Sequence, residues 1–276
     1  MANTDLDLFG RKTFFIEATS DLIPESYLSD FIEKGYETYI VKEDSTTPLK
    51  EKVSAIVRLF PEAILFFNID KSVSGIDWQK YIGELRRTLP SDIRIGVFCA
   101  DKPKAEEERI KLNFVDKLKL DAGFFELNAD SEENFSIIRK VLSRCGARGR
   151  RNWVRAECDE SSSAKFTHNG ASYNARLLDV NETHFSCSIK NCEKDFGVFE
   201  KIRNITLSIN EFSLTTDAVL IMKRISTEEN LYIFMFIKAD DSPALEEDKA
   251  RLLNKKISQI VIKNNMQKLE ASASRK

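Results

Sequence analysis

Five arginines fall between positions 144 and 155, in the run RCGARGRRNWVR: Arg144, Arg148, Arg150, Arg151 and Arg155. No acid lies among them, and Gly146 and Gly149 loosen the backbone between them. Guanidinium groups this close repel one another until an anion neutralises them. Each is a planar fork of donors that matches carboxylate and phosphate oxygens. Three kinds of anion suit the run: acids of a neighbouring domain, nucleic acid, or a small phosphate-bearing ligand. The net charge of the chain is −2, so it is not a globally basic nucleic-acid binder. Any anion chemistry rests on the local patch.

Other chemistry is sparse. The five cysteines (Cys99, Cys145, Cys158, Cys187, Cys192) are odd in number and lack CxxC spacing, which points to reduced structural thiols. His168 and His184 are the only histidines, so a metal site is not expected. Neither a GxGxxG nor a P-loop occurs. With no triad, metal set or nucleotide loop, the chain is expected not to be an enzyme and to need no cofactor. No apolar run approaches a membrane span and the first residues show no signal-peptide pattern, so a cytoplasmic protein is expected.

The arginines must be held by the elements on either side. At 276 residues the length favours two domains. Before the run, short apolar strands alternate with amphipathic helices. The strands are 12–18, 36–41, 63–69, 93–99 and 122–127, and the helices are 26–34, 47–60, 76–89, 103–118 and one capped by Ser131. Five βα units predict a doubly wound parallel sheet of flavodoxin type over residues 1–143. Residues 144–152 form the arginine-rich linker. From Trp153 the period changes to strands and turns, with Asn169-Gly170 as a hairpin signal. Six or seven such strands predict a small antiparallel β-barrel. A helix opened by Asp241-Ser242-Pro243 closes the second domain, 153–269, and a small polar tail, 270–276, is expected to be disordered.

The first domain resembles the receiver domains of two-component signalling. Receivers carry an acidic pair after the first strand, a phosphoacceptor aspartate ending the third, Thr/Ser-Ala after the fourth and Lys-Pro after the fifth. Here those places hold Glu17-Ala18, Asn68-Ile69, Cys99-Ala100 and Leu127-Asn128. The resemblance implies a receiver-like domain that has lost phosphorylation and serves protein contact. Asp70 is a displaced fallback acceptor.

The second domain resembles a PilZ domain, the bacterial receptor module for cyclic di-GMP, over roughly residues 148–240. The family's RxxxR motif is matched by Arg151-Asn152-Trp153-Val154-Arg155, with Arg150 adjacent. Its (D/N)xSxxG motif corresponds to Asp179-Val180-Asn181-Glu182-Thr183-His184, with Asn181 in place of serine and His184 in place of glycine. The resemblance implies that Arg150, Arg151, Arg155, Asp179 and Asn181 bind cyclic di-GMP. Arginine suits phosphodiester oxygens, guanine O6 and N7, and the purine face. A carboxylate at 179 accepts from guanine N1–H and N2–H₂, and Asn181 donates and accepts where the serine stood. The expected function is a non-enzymatic signalling receptor that passes ligand binding on by interdomain rearrangement and protein contact. The alternative is a degenerate PilZ adaptor that binds a protein partner without nucleotide. A protein partner, no nucleic acid, and a monomer or homodimer are expected in either case.

Overall fold

A computed structural model of the chain describes residues 10–189, 196–225 and 230–274. The chain divides into two compact units, Met1–Asn152 with Asn264–Lys276, and Trp153–Lys263.

In the first unit five parallel strands run β1 (Thr13–Ile16), β2 (Thr38–Val41), β3 (Ile64–Asn68), β4 (Arg94–Ala100) and β5 (Gly123–Leu127). Their order is β2-β1-β3-β4-β5, the doubly wound arrangement the alternating pattern predicts. Every residue of β3, ILFFN, is buried, as a central parallel strand covered on both faces requires. The crossover helices are α1 (Ser26–Glu33), α2 (Leu49–Leu59), α3 (Trp78–Thr88), α4 (Lys104–Ile110) and α5 (Ser131–Arg144). The core is aromatic: the Phe66 ring lies 5.8 Å from Phe15 and 5.2 Å from Phe125, and Phe98 stacks on Phe125 at 5.5 Å. Burying each such ring contributes about 1.5–3 kcal/mol.

Two helices depart from the sequence-based expectation. The 103–118 helix is α-helical only through Ile110 and then continues as a π-helix, Lys111–Asp116. The wider turn still buries Ile110 and Phe114. Asp130, not Ser131, caps α5: its Oδ1 accepts from the amides of Glu132 and Glu133 at 2.9 and 3.0 Å. A carboxylate there also sets a full negative charge at the positive end of the helix dipole, which a neutral hydroxyl does not.

The second unit holds β6 (Ala156–Glu157), β7 (Ser163–His168), β8 (Ala171–Val180), β9 (His184–Ser188), β10 (Lys201–Ile209), β11 (Phe212–Arg224) and β12 (Leu231–Ile237). The β8–β9 pairing closes β8-β7-β10-β11-β12-β9 into a six-stranded antiparallel barrel, and β6 is added outside β8. Asn169 and Gly170 both have positive φ, 47° and 78°, as the two-residue β7–β8 turn demands. Phe185, Phe234 and Phe236 fill the interior, with Phe185 stacked on Phe234 at 5.0 Å. The strand expected over 153–158 contracts to two residues.

The last helix, α6, spans Glu247–Ala273. It does not open at Asp241-Ser242-Pro243. Those residues form a turn instead, in which Asp241 has φ 68° and Asp240 Oδ1 accepts from the Ser242 amide and hydroxyl. It also runs past 269 into the stretch expected to be disordered. Ala273 is buried there, and Ser272 accepts from the Arg58 guanidinium. From Asn264 its residues group with the α/β unit, where Asn265 Nδ2 donates to Tyr39 Oη at 2.9 Å. The part of the tail beyond 274 lies outside the described residues.

Candidate functional site

Asp179 owes its position to a β-bulge. Along β8, Ala175 and Leu177 point into the barrel, so strict alternation would put Asp179 inside as well. The register with β9 pairs Leu177 with Cys187 but Asp179 with Ser186, leaving Leu178 as an extra residue. One inserted residue flips the faces. Val180 then enters the core opposite Phe185, and Asp179 comes out beside Ser186.

On that outer face Asp179 meets Arg155. Arg155 Nη1 lies 3.2 Å from Asp179 Oδ1 and 3.3 Å from Oδ2, and Ser186 Oγ donates to Oδ2 at 2.7 Å. Short β6 sets the approach, because Glu157, two residues beyond Arg155, pairs with Asp179. The two side chains are 31% and 23% exposed, so solvent partly screens their attraction. Arg155 Nε is buried and has no acceptor among the described residues. A donor left in that state costs about 1–3 kcal/mol, which an arriving acceptor would recover.

Asn181 has a different task from the one the sequence suggests. Its Oδ1 accepts three bonds, from the Thr183 amide (2.9 Å), the Thr183 hydroxyl (3.1 Å) and the His184 amide (2.8 Å). It therefore shapes the β8–β9 turn, an Asx-turn role, and only Nδ2 is left for other partners. Asn181→Ala is expected to strand these donors and lower stability by about 1–3 kcal/mol, read from urea unfolding. Asn181→Ser should recover part of that, because a hydroxyl makes the same turn less strongly.

His184 opens β9 and pairs with Met235, so it is a strand residue and not a turn residue. It is not among the residues of positive φ, so the backbone here does not ask for the glycine of the motif. Its Nδ1 lies 2.6 Å from Thr183 Oγ1. Burial, and then the charge of Arg155, hold its pKa below the usual 6.5. The unfolded chain thus binds this proton at a higher pH than the folded chain does. Stability should fall as pH drops below about 6.5, and His184→Gln should flatten that fall in urea midpoints taken at intervals down the pH scale.

The linker arginines belong to the other unit. Arg144 Nη2 donates to the Ala122 carbonyl at 3.3 Å, and Arg148 Nη2 to Asn152 Oδ1 at 3.1 Å. Arg150 and Arg151 lie in irregular backbone after α5, and neither lacks a partner. This segment is not a loose tether. Ala147 is buried, and a Cβ on Gly35 would come within 2.8 Å of the Asn152 carbonyl oxygen. Glycine at 35, with φ 82°, therefore lets the linker backbone close on the α/β unit.

The positions that correspond to the receiver motif are filled by structural bonds. Asn68 is buried, its Nδ2 donating to the Glu17 carbonyl at 3.0 Å and its Oδ1 accepting from the Asp70 amide at 3.1 Å. Glu17, with φ 58°, accepts from the Glu43 amide. Asp70 is held by the Ala100 amide at 2.8 Å and by Lys102 Nζ at 2.9 Å. Among the described residues no three His, Cys, Asp or Glu side chains gather as metal ligands. Burial pushes the Cys99 and Cys158 thiols up to about 12, so neither is a thiolate at neutral pH.

Ser186 was not singled out from the sequence. The signal lay in β9, where HFSCS alternates and puts Ser186 on the face of its cross-strand neighbour Asp179.

No family model matches the chain, and no curated protein matches it. Similar solved structures exist. One is the PilZ domain with c-di-GMP of YcgR from Escherichia coli, at 14% identity, 43% of this chain, 96% of that chain and a TM-score of 0.35. A second is the K. pneumonia MrkH–c-di-GMP complex, at 16% identity, 43% of this chain, 55% of that chain and a TM-score of 0.38. A third is the Bacillus subtilis inhibitor of motility MotI/DgrA, at 13% identity, 46% of this chain, 54% of that chain and a TM-score of 0.32. The match thus spans only about half the length of the second and third. With its closed six-stranded barrel, this chain is similar to PilZ domain structures.

Proposed function

We propose that the barrel unit is a receptor for cyclic di-GMP, and that the chain is a signalling effector without catalytic activity of its own. The observation that carries this is the Arg155–Asp179 pair, with a buried Nε–H on Arg155 that lacks an acceptor. A guanine edge satisfies both partners. On the Watson–Crick edge O6 accepts from the guanidinium, and N1–H and N2–H₂ donate to the carboxylate. Arg150 and Arg151 supply the charge for the phosphodiesters, and the motif spacing places Arg151 four residues before Arg155. Asn181 contributes through the turn it builds, with Nδ2 as its remaining donor. The motif arginines lie in the segment that joins the two units in sequence, so ligand capture there can change how a protein partner is presented.

Asp179→Ala should weaken cyclic di-GMP binding about tenfold and reduce its preference over cyclic di-AMP, in competition titrations. Ser186→Ala should produce a smaller loss in the same direction, because the hydroxyl fixes the carboxylate without touching the ligand. Thermal denaturation tests the proposal as a whole. Ligand at a hundred times Kd should stabilise the fold by about 2.7 kcal/mol. An adaptor that ignores the nucleotide is favoured by one observation, that Asn181 Oδ1 is already committed to the turn. An unchanged melting curve at saturating cyclic di-GMP would decide for the adaptor.

A further inference from the structure

A second cationic feature lies in the α/β unit, far in sequence from the arginine run. A groove of about 570 Å³ opens between α3 and the turn that follows the π-helix, lined by Lys80, Arg86, Arg87 and Lys117. Leu118 is the one apolar side chain in its lining, beside Gly83. A Cβ on Gly83 would meet Leu118 Cδ2 at 3.3 Å, so glycine lets this turn pack closely on α3. The arginines are already held by one end. Arg87 Nε donates to the Gly83 carbonyl at 3.2 Å and Arg86 Nε to the Lys119 carbonyl at 3.4 Å. These bonds, and the helix dipole at the end of α3, account for Nε but not for the terminal Nη groups.

None of the four cations forms a salt bridge among the described residues, Lys117 Nζ donating to the neutral Asn113 Oδ1 at 2.9 Å, although nearby Arg109 pairs with Glu106 and Lys111 with Glu107. Asp77 is the one acid lining the groove, and its Oδ1 caps α3 by accepting from the Lys80 amide at 2.9 Å. The protein has a net charge of −2, so the local excess is not part of a general basic surface.

We propose that this groove is a docking site for a short acidic protein segment with an apolar residue at its centre. The Nη groups of Arg86 and Arg87, fixed at Nε, take carboxylates with little further loss of side-chain freedom. Leu118 and Gly83 receive the apolar side chain. A nucleic-acid backbone fits less well, because the apolar Leu118 has no partner in a phosphate chain.

Fluorescence anisotropy of the 276-residue chain tests this. The probe is a labelled heptapeptide of glutamates and aspartates around a central leucine, at low salt. Saturable binding is expected, weakened at least about tenfold by Arg86→Gln with Arg87→Gln. Lys80→Gln with Lys117→Gln, at exposed positions, should act in the same direction, and guards against misfolding of the first variant. Arg150→Gln with Arg151→Gln should leave the affinity unchanged. Absence of saturable binding overturns the proposal. So does binding that survives both groove variants, or a DNA duplex that binds more tightly than the peptide through the same side chains.

Discussion

Arg155→Ala is expected to reduce the affinity of the folded protein for cyclic di-GMP by at least about a hundredfold. The side chain offers a terminal fork and an Nε–H to one ligand, and each hydrogen bond from a charged donor contributes about 1.5–3 kcal/mol. Two such bonds exceed the 2.7 kcal/mol, approximately, that a hundredfold change requires. Arg155→Lys should not restore binding, because an ammonium has neither the planar fork nor the Nε position. The fold should survive. Arg155 is partly exposed, and Asp179 keeps its bond from Ser186 and access to water. Equilibrium binding with matched melting curves separates the two effects. A variant that melts normally and still binds within a few-fold of wild type would remove Arg155 from the site.

Gly96→Val is expected to destabilise the α/β unit by at least about 3 kcal/mol. Gly96 lies in β4, between β3 and β5 in the sheet. A Cβ there would stand 2.6 and 2.7 Å from ring carbons of Phe66 and 2.9 Å from the Gly123 carbonyl oxygen. The ring lies between Phe15 and Phe125, so it can shift only by displacing them, and the carbonyl belongs to the neighbouring strand. Overpacking of this kind ordinarily costs 1–3 kcal/mol, and a branched side chain against a fixed ring and backbone lies at or above the top of that range. Urea unfolding reads the loss. An unchanged midpoint would mean that the aromatic core is not packed as described.

The sequence made the scaffold legible and left the geometry of the site largely hidden. Apolar runs such as AILFFNI show a strand buried on both faces, and Asn169-Gly170 marks a turn whose φ values only such residues adopt readily. Helix ends were less visible, because Asp130 and Ser131 both suit a cap and only the backbone decides which one serves. The bulge at Leu178 was invisible. Two leucines in a row look like ordinary strand, yet the extra residue turns Asp179 out of the barrel. Asn181 looked like a ligand contact because it stands where the motif has a hydroxyl. Three backbone and hydroxyl donors claim its oxygen first. The C-terminal residues looked disordered because they are small and polar, but Arg58 and the burial of Ala273 hold them in a helix. The basic groove escaped notice because its cations come from two segments about thirty residues apart in the chain.

Isothermal calorimetry of the 276-residue chain with cyclic di-GMP, run beside Arg151→Ala and Arg155→Ala, tests the central claim most directly. Saturable heat for the wild type, lost or greatly reduced in both variants, is the predicted result. No heat and no thermal shift at high ligand, for protein shown to be folded, would contradict it.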